Sequence, residues 1–288
     1  SGKIWGFDKE GKTTFDWKTQ DHDYNNEDDY KTMMVELEEF PNFTHKETWD
    51  IQAVSSKRML SIKSKMFKAI IIGSTGATGR HVLNQLLTNV NCELVTTIGR
   101  RSSSGKVKNK KHRDIIIPSL KDLSSTKKYW MDNDVFFNCI GTTRKIAGGA
   151  KQFVDIEYGI SLKSAELANK AKIPNVSVIS ASGANPDGFS VDWIHPLLYA
   201  KTIGLKEQTL TRHYNFNNVS IFRPGMLMRY YDETSALQQF FNDSNMGLPV
   251  SLLASAIKRD SEAVLEQSNK TESIVYIGNN CIKSSITL

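Results

Sequence analysis

A glycine-rich turn between a strand-like and a helix-like segment is the first feature with a chemical use. In IIIGSTGATGRHV (70–82), Gly73, Gly76 and Gly79 follow an isoleucine-rich run and precede apolar residues at helical spacing. Glycines have no Cβ atom to block a pyrophosphate, and a helix N-terminus offers N–H groups and a positive dipole end. We therefore expect a dinucleotide phosphate to bind here, with a purely structural turn as the alternative.

Residues between and after these glycines extend the expected contact surface. Hydroxyl groups can donate further hydrogen bonds to phosphate oxygens, and an arginine follows the third glycine. The loop residues predicted to contact the nucleotide are Gly73, Ser74, Thr75, Gly76, Ala77, Thr78, Gly79 and Arg80.

The end of the next predicted strand indicates which dinucleotide binds. In TTIGRR (96–101), Arg100 and Arg101 stand where an NAD site usually carries an acidic residue for the ribose 2′-hydroxyl. Because guanidinium groups suit a 2′-phosphate, we expect NADP(H) in preference to NAD(H). A pair of arginines at a solvated strand edge is the alternative.

The arginine pair opens a basic run, RRSSSGKVKNKKHR (100–113), which has seven Lys/Arg and no acid. A loop of this composition is most often solvated, and it can also contact anionic lipid or an acidic partner. We expect no nucleic-acid partner, since positive charge alone does not indicate one.

Strand-like and helix-like segments alternate from about residue 66 onward, and their order predicts the fold. Strands are predicted at 67–73, 92–100, 113–118, 134–141, 175–183, 219–225 and 273–278, and helices at 79–90, at 152–171 and after Tyr199. Such alternation is typical of an α/β fold, a doubly wound parallel sheet with helices on both faces.

The N-terminal segment does not share this alternation, so we divide the chain into an extension (1–65) and a nucleotide-binding domain (66–288). Residues 1–50 hold 13 Asp/Glu against 6 Lys, whereas the remainder holds 31 Lys/Arg against 18 Asp/Glu. A disordered tail is usually poor in aromatic residues. The extension is rich in them: Trp5, Phe7, Phe15, Trp17, Tyr24, Tyr30, Phe40, Phe43 and Trp49. We expect a docking arm for other protein subunits, with an extension that wraps its own domain as the alternative.

Composition and cysteine usage argue against several classes of protein. Hydrophobic residues make up 39% and charged residues 24% of the chain, as in an ordinary soluble globular protein. The longest apolar stretch, 246–257, is too short for a transmembrane helix. The three cysteines are far apart and the six histidines are scattered, so neither a disulfide framework nor a metal site is expected.

Several motifs together are more specific than the fold pattern. They are GSTGATGR (73–80), IGRR (98–101), FFNCIGTTRKIAGGAKQFVDIEYGISLKSAELANKA (136–171), VISASGAN (178–185) and SIFRPGML (220–227). From about residue 67 to 280 the chain resembles the Tat-interacting protein 2 family of atypical short-chain dehydrogenases/reductases. The resemblance implies a Rossmann-like fold with NADPH lying across the carboxyl ends of the strands.

The resemblance also implies roles beyond the glycine loop. The residues concerned are Arg100 at the 2′-phosphate, Ile140, Gly141 and Thr142 at the nicotinamide half, and Arg223, Pro224 and Gly225 in the turn that covers the sugar and amide. One departure concerns the adenine. The family's acidic residue there would follow the third strand, where this chain has Pro118 and Ser119.

The same family pairs a catalytic tyrosine with a lysine four residues later and an assisting serine. Residues four apart share a helix face at about 6 Å, and a nearby cation is needed because free tyrosine has a pKa of about 10. Tyr199 fits the tyrosine and Ser182 the serine, with Ser180 as second choice. At plus four, however, the chain has Ile203.

Two nearby lysines do not restore that geometry. Lys201 points about 200° round the helix from Tyr199, and Lys206 returns to the same face but about 10 Å along the axis. Gly204 stands where a glycine often follows the family's lysine, so the register is sound. We expect Tyr199 and Ser182 to be vestigial and hydride transfer to be inefficient.

These features lead to one preferred function and two alternatives. We expect a catalytically silent NADP(H)-binding subunit of a larger complex, similar in logic to the nucleotide-binding accessory subunit of respiratory complex I. A basic, cysteine-poor chain without an initiator Met suits an imported mitochondrial protein, on the matrix side or in an inner-membrane-associated complex; the cytoplasm is the alternative location. The other functions are an active NADPH-dependent reductase of a small carbonyl compound and a soluble regulatory binding protein.

Overall fold

The computed structural model describes residues 4–7, 13–16, 65–104, 109–191, 194–228, 247–266 and 272–287. Its strands are β1 (Ile4–Phe7), β2 (Thr13–Asp16), β3 (Phe67–Ile72), β4 (Cys92–Gly99), β5 (His112–Ile116), β6 (Val135–Asn138), β7 (Asn175–Ile179), β8 (Asn218–Arg223), β9 (Met226–Met228), β10 (Gly247–Pro249) and β11 (Glu272–Ile277). Its α-helices are α1 (Gly79–Thr88), α2 (Arg144–Ala147), α3 (Ala150–Val154), α4 (Ser161–Lys170), α5 (His195–Arg212), α6 (Val250–Glu266) and α7 (Gly278–Thr287).

The main sheet of the described residues has the order β2-β1-β11-β8-β7-β6-β3-β4-β5. From β11 to β5 its seven strands are parallel, and β9 pairs with β10 in a separate two-stranded sheet. The chain runs from β3 outward to β5, then returns to β6 and proceeds to the opposite side. In such sheets ligands bind at the carboxyl ends of the strands, beside this reversal between β3 and β6. The predicted α/β, Rossmann-like fold is confirmed.

Strand β3 lies at the centre of the sheet, and its side chains alternate between two hydrophobic cores. Ala69 and Ile71 join the core that contains side chains of α1, α6 and α7. Ile70 and Ile72 join the core that contains side chains of α4 and α5. Because all four are fully buried, an uninterrupted apolar run is the sequence that this position requires. Helices therefore cover both faces of the sheet.

The predicted helix over 152–171 has an irregularity in its middle. Between α3 and α4 the chain forms a π-helical turn, Asp155–Ile160. Such turns insert a residue into the helical ladder and are common at functional sites. Here the turn brings Glu157 to a buried position at the carboxyl ends of the strands, where its carboxylate accepts a hydrogen bond from the Thr142 N–H.

Strands β1 and β2 lie within the predicted arm 1–65. β1 is antiparallel to β11, with Ile4 opposite Tyr276, and β2 is antiparallel to β1. β1 and β2 group in one compact unit with the described residues from Met66 onward. The rest of the arm, and with it most of the predicted aromatic anchors, lies outside the described residues, so a docking role of 1–65 stays a prediction.

Two further findings concern the described part of the chain only. It contains no helix that is long and apolar enough to cross a membrane. It also contains no group of three or more His, Cys, Asp or Glu side chains placed to hold a metal ion. The three cysteines are buried free thiols.

A buried carboxyl group lies between α6 and the sheet. Asp260 accepts a hydrogen bond from the Tyr276 hydroxyl at 2.7 Å, and the Ser220 hydroxyl is a second partner. Burial raises the pKa of Asp260 to about 6 against an ordinary 3.8, more than these hydrogen bonds lower it. Because the folded state holds this proton more tightly than the unfolded state, the associated stability is present below pH 3.8 and is lost as the pH rises through 6.

We therefore expect Asp260→Asn to remove a pH dependence. The amide keeps an acceptor for Tyr276 and stays neutral, so the variant should gain stability relative to the wild type as the pH rises, by about 3 kcal/mol in all. Urea unfolding followed by circular dichroism between about pH 4 and 7 measures this difference. Asp187→Asn, at an exposed site, is the control. Parallel curves for Asp260→Asn and wild type would contradict the prediction.

Candidate functional site

The glycine turn after β3 holds three backbone segments in close contact. Gly73 has φ +87°, a left-handed conformation, and a Cβ atom there would lie 2.5 Å from the carbonyl oxygen of Cys139. A Cβ atom on Gly79 would lie 2.2 Å from the carbonyl oxygen of Gly73. The Gly76 N–H donates to that same oxygen at 3.0 Å. Both glycines are therefore required, and the turn 73–78 leads from β3 to the N-terminus of α1 at the carboxyl edge of the sheet.

The structure brings the rest of the predicted phosphate loop to this edge. Ser74 and Thr78 are buried, whereas Thr75, Gly76 and Arg80 are exposed. The turn thus presents backbone and a cation to solvent in front of α1. This arrangement fits a dinucleotide pyrophosphate, since the exposed backbone of the turn and the N-terminus of α1 lie at the same edge.

One carboxylate orders the loop after β4. Asp114 of β5 accepts hydrogen bonds from the hydroxyls of Thr97 (2.7 Å), Ser102 (2.7 Å), Ser103 (3.0 Å) and Ser104 (3.0 Å). It also accepts the Ser103 and Ser104 N–H groups. Partial burial acts to raise the pKa of Asp114, but these hydrogen bonds hold it well below its usual range. The first part of the basic run is therefore a fixed structure.

Arg100 and Arg101 stand at the start of this fixed loop. Both are exposed and follow β4, next to the glycine turn on the neighbouring strand β3. Pro118 and Ser119 follow β5 further out. The two arginines thus follow the strand that lies beside the glycine turn, and their contact with the adenosine half of a dinucleotide stays a prediction.

The loop after β6 is fixed by a second carboxylate. Thr142 donates its N–H to Oε1 of Glu157 at 2.5 Å, and a Cβ atom on Gly141 would lie 3.9 Å from the same oxygen. Ile140 is buried and donates its N–H to the side-chain oxygen of Asn138 at 3.3 Å. The three residues predicted at the nicotinamide half therefore have fixed backbone positions.

Lys206 of α5 lies beneath this loop. Its Nζ is 3.3 Å from Oε2 of Glu157, and the two side chains are 1% and 3% exposed. Burial raises the pKa of the Cys139 thiol to about 12, although the charge of Lys206 nearby acts to lower it. Cys139 is therefore an inert thiol. The Lys206 amine is engaged with Glu157.

A third carboxylate, Glu207, connects α5 with the ends of β7 and β8. Arg223 donates from Nε at 2.9 Å and from Nη2 at 2.5 Å, a forked geometry, and Ser180 donates its hydroxyl to Oε1. Arg223 thus binds Glu207 in the turn that was expected to cover the sugar and amide. Pro224 follows it, buried, and accepts the N–H of Ser182 at 2.9 Å.

Tyr199 lies half-buried in a cluster of rings on the outer part of α5. Its ring centroid is 5.9 Å from that of His195 and 5.8 Å from that of Phe153. Nδ1 of His195 is buried and has no hydrogen-bond partner among the described residues. Ser182 is exposed and Ser180 is bonded to Glu207, so the two candidate serines differ sharply in their surroundings.

The residue four positions after Tyr199 lies in the core. Ile203 is 2% exposed, and Gly204 packs so closely on the preceding loop that a Cβ atom would lie 2.3 Å from the nitrogen of Pro186. The Asn185 N–H donates to the Ala200 carbonyl at 2.9 Å and fixes the same loop. Gly204 is therefore explained by packing against residues 185 and 186.

Sequence reasoning missed the three carboxylates that organise the site, Asp114, Glu157 and Glu207. A signal for Glu157 was present, because it lies at a core position of the helical pattern between Phe153 and Ile160. A buried carboxylate requires a partner, which points to a basic residue elsewhere in the chain. The partner, 49 residues away, had no signal of its own.

Comparison with known proteins agrees with this geometry. Residues 69–197 match the NAD dependent epimerase/dehydratase family. The chain is 31% identical over 177 residues to the mitochondrial protein FMP52 of Meyerozyma guilliermondii, covering 62% of this chain and 71% of that protein. It is 30% identical over 158 residues to HTATIP2 of Rattus norvegicus, covering 55% and 62%. The resemblance to the Tat-interacting protein 2 family is thereby confirmed.

Solved structures share the fold. The oxidoreductase ylbE from Lactococcus lactis superposes with a TM-score of 0.55 at 19% identity, covering 76% of this chain and 95% of that one. The Bordetella bronchiseptica enzyme WbmG, solved in complex with NAD, superposes with a TM-score of 0.53 at 12% identity, covering 75% and 74%. At these identities the likeness establishes the fold alone.

We expect Gly79→Ala to destabilise the protein, because the new methyl group would collide with the Gly73 carbonyl. Thermal unfolding should show a loss of about 1–3 kcal/mol, as for other over-packed sites. Gly159→Ala is the matched control, since a Cβ atom there has no neighbour within 4 Å. An unchanged melting temperature for Gly79→Ala would show that the two segments are not in contact.

Proposed function

The chain belongs to the NAD-dependent epimerase/dehydratase family, within the group of FMP52 and HTATIP2, and from this premise we propose that it binds NADP(H) without efficient hydride-transfer catalysis. The proposal rests on the residues that follow Tyr199 on α5. Ile203 replaces the amine one turn after Tyr199, and the Lys206 amine is engaged in a buried ion pair with Glu157. The chain therefore keeps the glycine turn of a dinucleotide site but lacks the tyrosine–lysine pair that transfers the proton.

The preference for NADP(H) rests on the loop after β4. Arg100 and Arg101 supply two guanidinium groups, and Asp114 holds the following serines in place. The position is basic where NAD sites are usually acidic. WbmG was solved in complex with NAD, and the two arginines are the reason for proposing the phosphorylated cofactor for this chain.

The family's proton transfer pairs the tyrosine with a lysine four residues later, and this chain has Ile203 at that position. Lys201 is half-buried and lies about 200° round the helix from Tyr199. His195 is one turn before Tyr199, and their rings pack edge to face. The helix therefore retains the tyrosine in a packed aromatic environment.

A structural role for the cofactor follows from these features. A ligand that binds only the folded state stabilises it by mass action, by about 4 kcal/mol at a thousandfold excess over Kd. FMP52 relatives carry a mitochondrial designation, and the acidic, aromatic arm 1–65 suits docking to other subunits. We assign the protein to a mitochondrial complex as an accessory subunit, where NADP(H) would stabilise the domain.

Binding and turnover measured together test the proposal. Calorimetry should give a lower Kd for NADPH than for NADH, and absorbance at 340 nm should show turnover of a panel of aldehydes and ketones far below about 1 s⁻¹, the lower end for ordinary enzymes. Steady NADPH oxidation would favour an active reductase and overturn catalytic silence. Native purification as a free protein would favour a soluble regulatory role over an accessory subunit.

A further inference from the structure

We propose that the buried Glu157–Lys206 pair is a positioning device for the loop that receives the nicotinamide half of the cofactor. The inference rests on the proposed NADP(H) binding and goes beyond it. In the family, a lysine at position 203 would assist Tyr199. Lys206, seven residues after Tyr199, instead holds Glu157 in place. Lys206 is a positioning residue because it acts through Glu157.

The first step is the pairing of the two charges. Lys206 Nζ lies 3.3 Å from Glu157 Oε2, and both side chains are almost fully buried. Two ions in such a place stabilise each other only as a pair, because the loss of one leaves an uncompensated buried charge. The amine of α5 therefore holds the Glu157 side chain in one orientation.

The second step is the use of the other carboxylate oxygen. Glu157 Oε1 accepts the N–H of Thr142 at 2.5 Å. A hydrogen bond to a carboxylate is shorter and stronger than one between neutral groups, and this bond requires the carboxylate to be aimed at the loop. Through one carboxylate, the position of Lys206 thus sets the backbone direction at Thr142.

The third step joins this loop to the phosphate turn. Cys139 donates its N–H to the Ile72 carbonyl at 2.9 Å, and its own carbonyl oxygen would lie only 2.5 Å from a Cβ atom on Gly73. The loop 139–142 is consequently fixed at its start by β3 and at its end by Glu157. Without the second attachment, the adenosine side of the site would keep its structure while the nicotinamide side would lose its support.

Separate ligands for the two halves of the site make this testable. Lys206→Met leaves Glu157 without its amine, and calorimetry is run with NADPH and with 2′,5′-ADP, which carries only the adenosine half. We expect the Kd for NADPH to rise at least about tenfold, equal to about 1.4 kcal/mol, while the Kd for 2′,5′-ADP stays within about twofold. A purely structural role would weaken both ligands alike.

The matched control is Lys170→Met. Lys170 also pairs with a glutamate on a helix, Glu166 of α4, but its side chain is 68% exposed. An exposed pair of this kind contributes little, so both affinities should equal those of the wild type.

A double variant covers the case in which Lys206→Met does not fold. Glu157→Leu/Lys206→Met removes both charges, a change that buried pairs often tolerate, and also removes the acceptor for Thr142. It should lose most of the preference for NADPH over 2′,5′-ADP. Retention of the wild-type ratio, or equal weakening of both ligands, overturns the inference while the proposed function stands. Failure of the wild type to bind NADPH overturns both.

Discussion

The contact of three backbone segments at Gly73 is the constraint on which the rest of the site depends. The β3–α1 turn, the start of α1 and the loop after β6 meet where a single Cβ atom on Gly73 or Gly79 would lie within 2.5 Å of a carbonyl oxygen. This contact sets the direction of α1, and therefore of its N–H groups, relative to the sheet. It also fixes Cys139, from which the loop toward the nicotinamide half begins.

Around this contact, three carboxylates each fix a different loop at the carboxyl edge. Asp114 holds the serines after β4, Glu157 holds Thr142 after β6, and Glu207 joins the ends of β7 and β8 to α5. Carboxylates with two oxygens suit this task because each can accept from two segments at once. On α5 two consecutive charged residues, Lys206 and Glu207, are buried in such networks. Through these contacts α5 joins the loops that follow β6, β7 and β8.

Much of this architecture is encoded locally and was predictable. The buried run of β3 and the spacing of Gly73, Gly76 and Gly79 indicate strand, turn and helix within about twenty residues, and the fold follows from their repetition. The π-helical turn and the pair Glu157–Lys206 were not predictable in this way. Glu157 and Lys206 are 49 residues apart in the sequence. The helical period of a sequence reveals neither an inserted turn nor a distant charged partner. The pairing of β1 with β11 was not predictable either, because strands this short are stable only within the sheet that they join.

The most direct measurement is a crystal structure with NADPH bound. We expect Lys206 Nζ to stay on Glu157, and no lysine of α5 to reach within about 3 Å, the distance of a hydrogen bond, of the nicotinamide ribose or of the Tyr199 hydroxyl. Thr142 should remain bonded to Glu157 beside the nicotinamide half. A structure in which Lys206 or Lys201 turns to the ribose or to Tyr199 would contradict the proposed catalytic silence and would identify the amine that assists Tyr199.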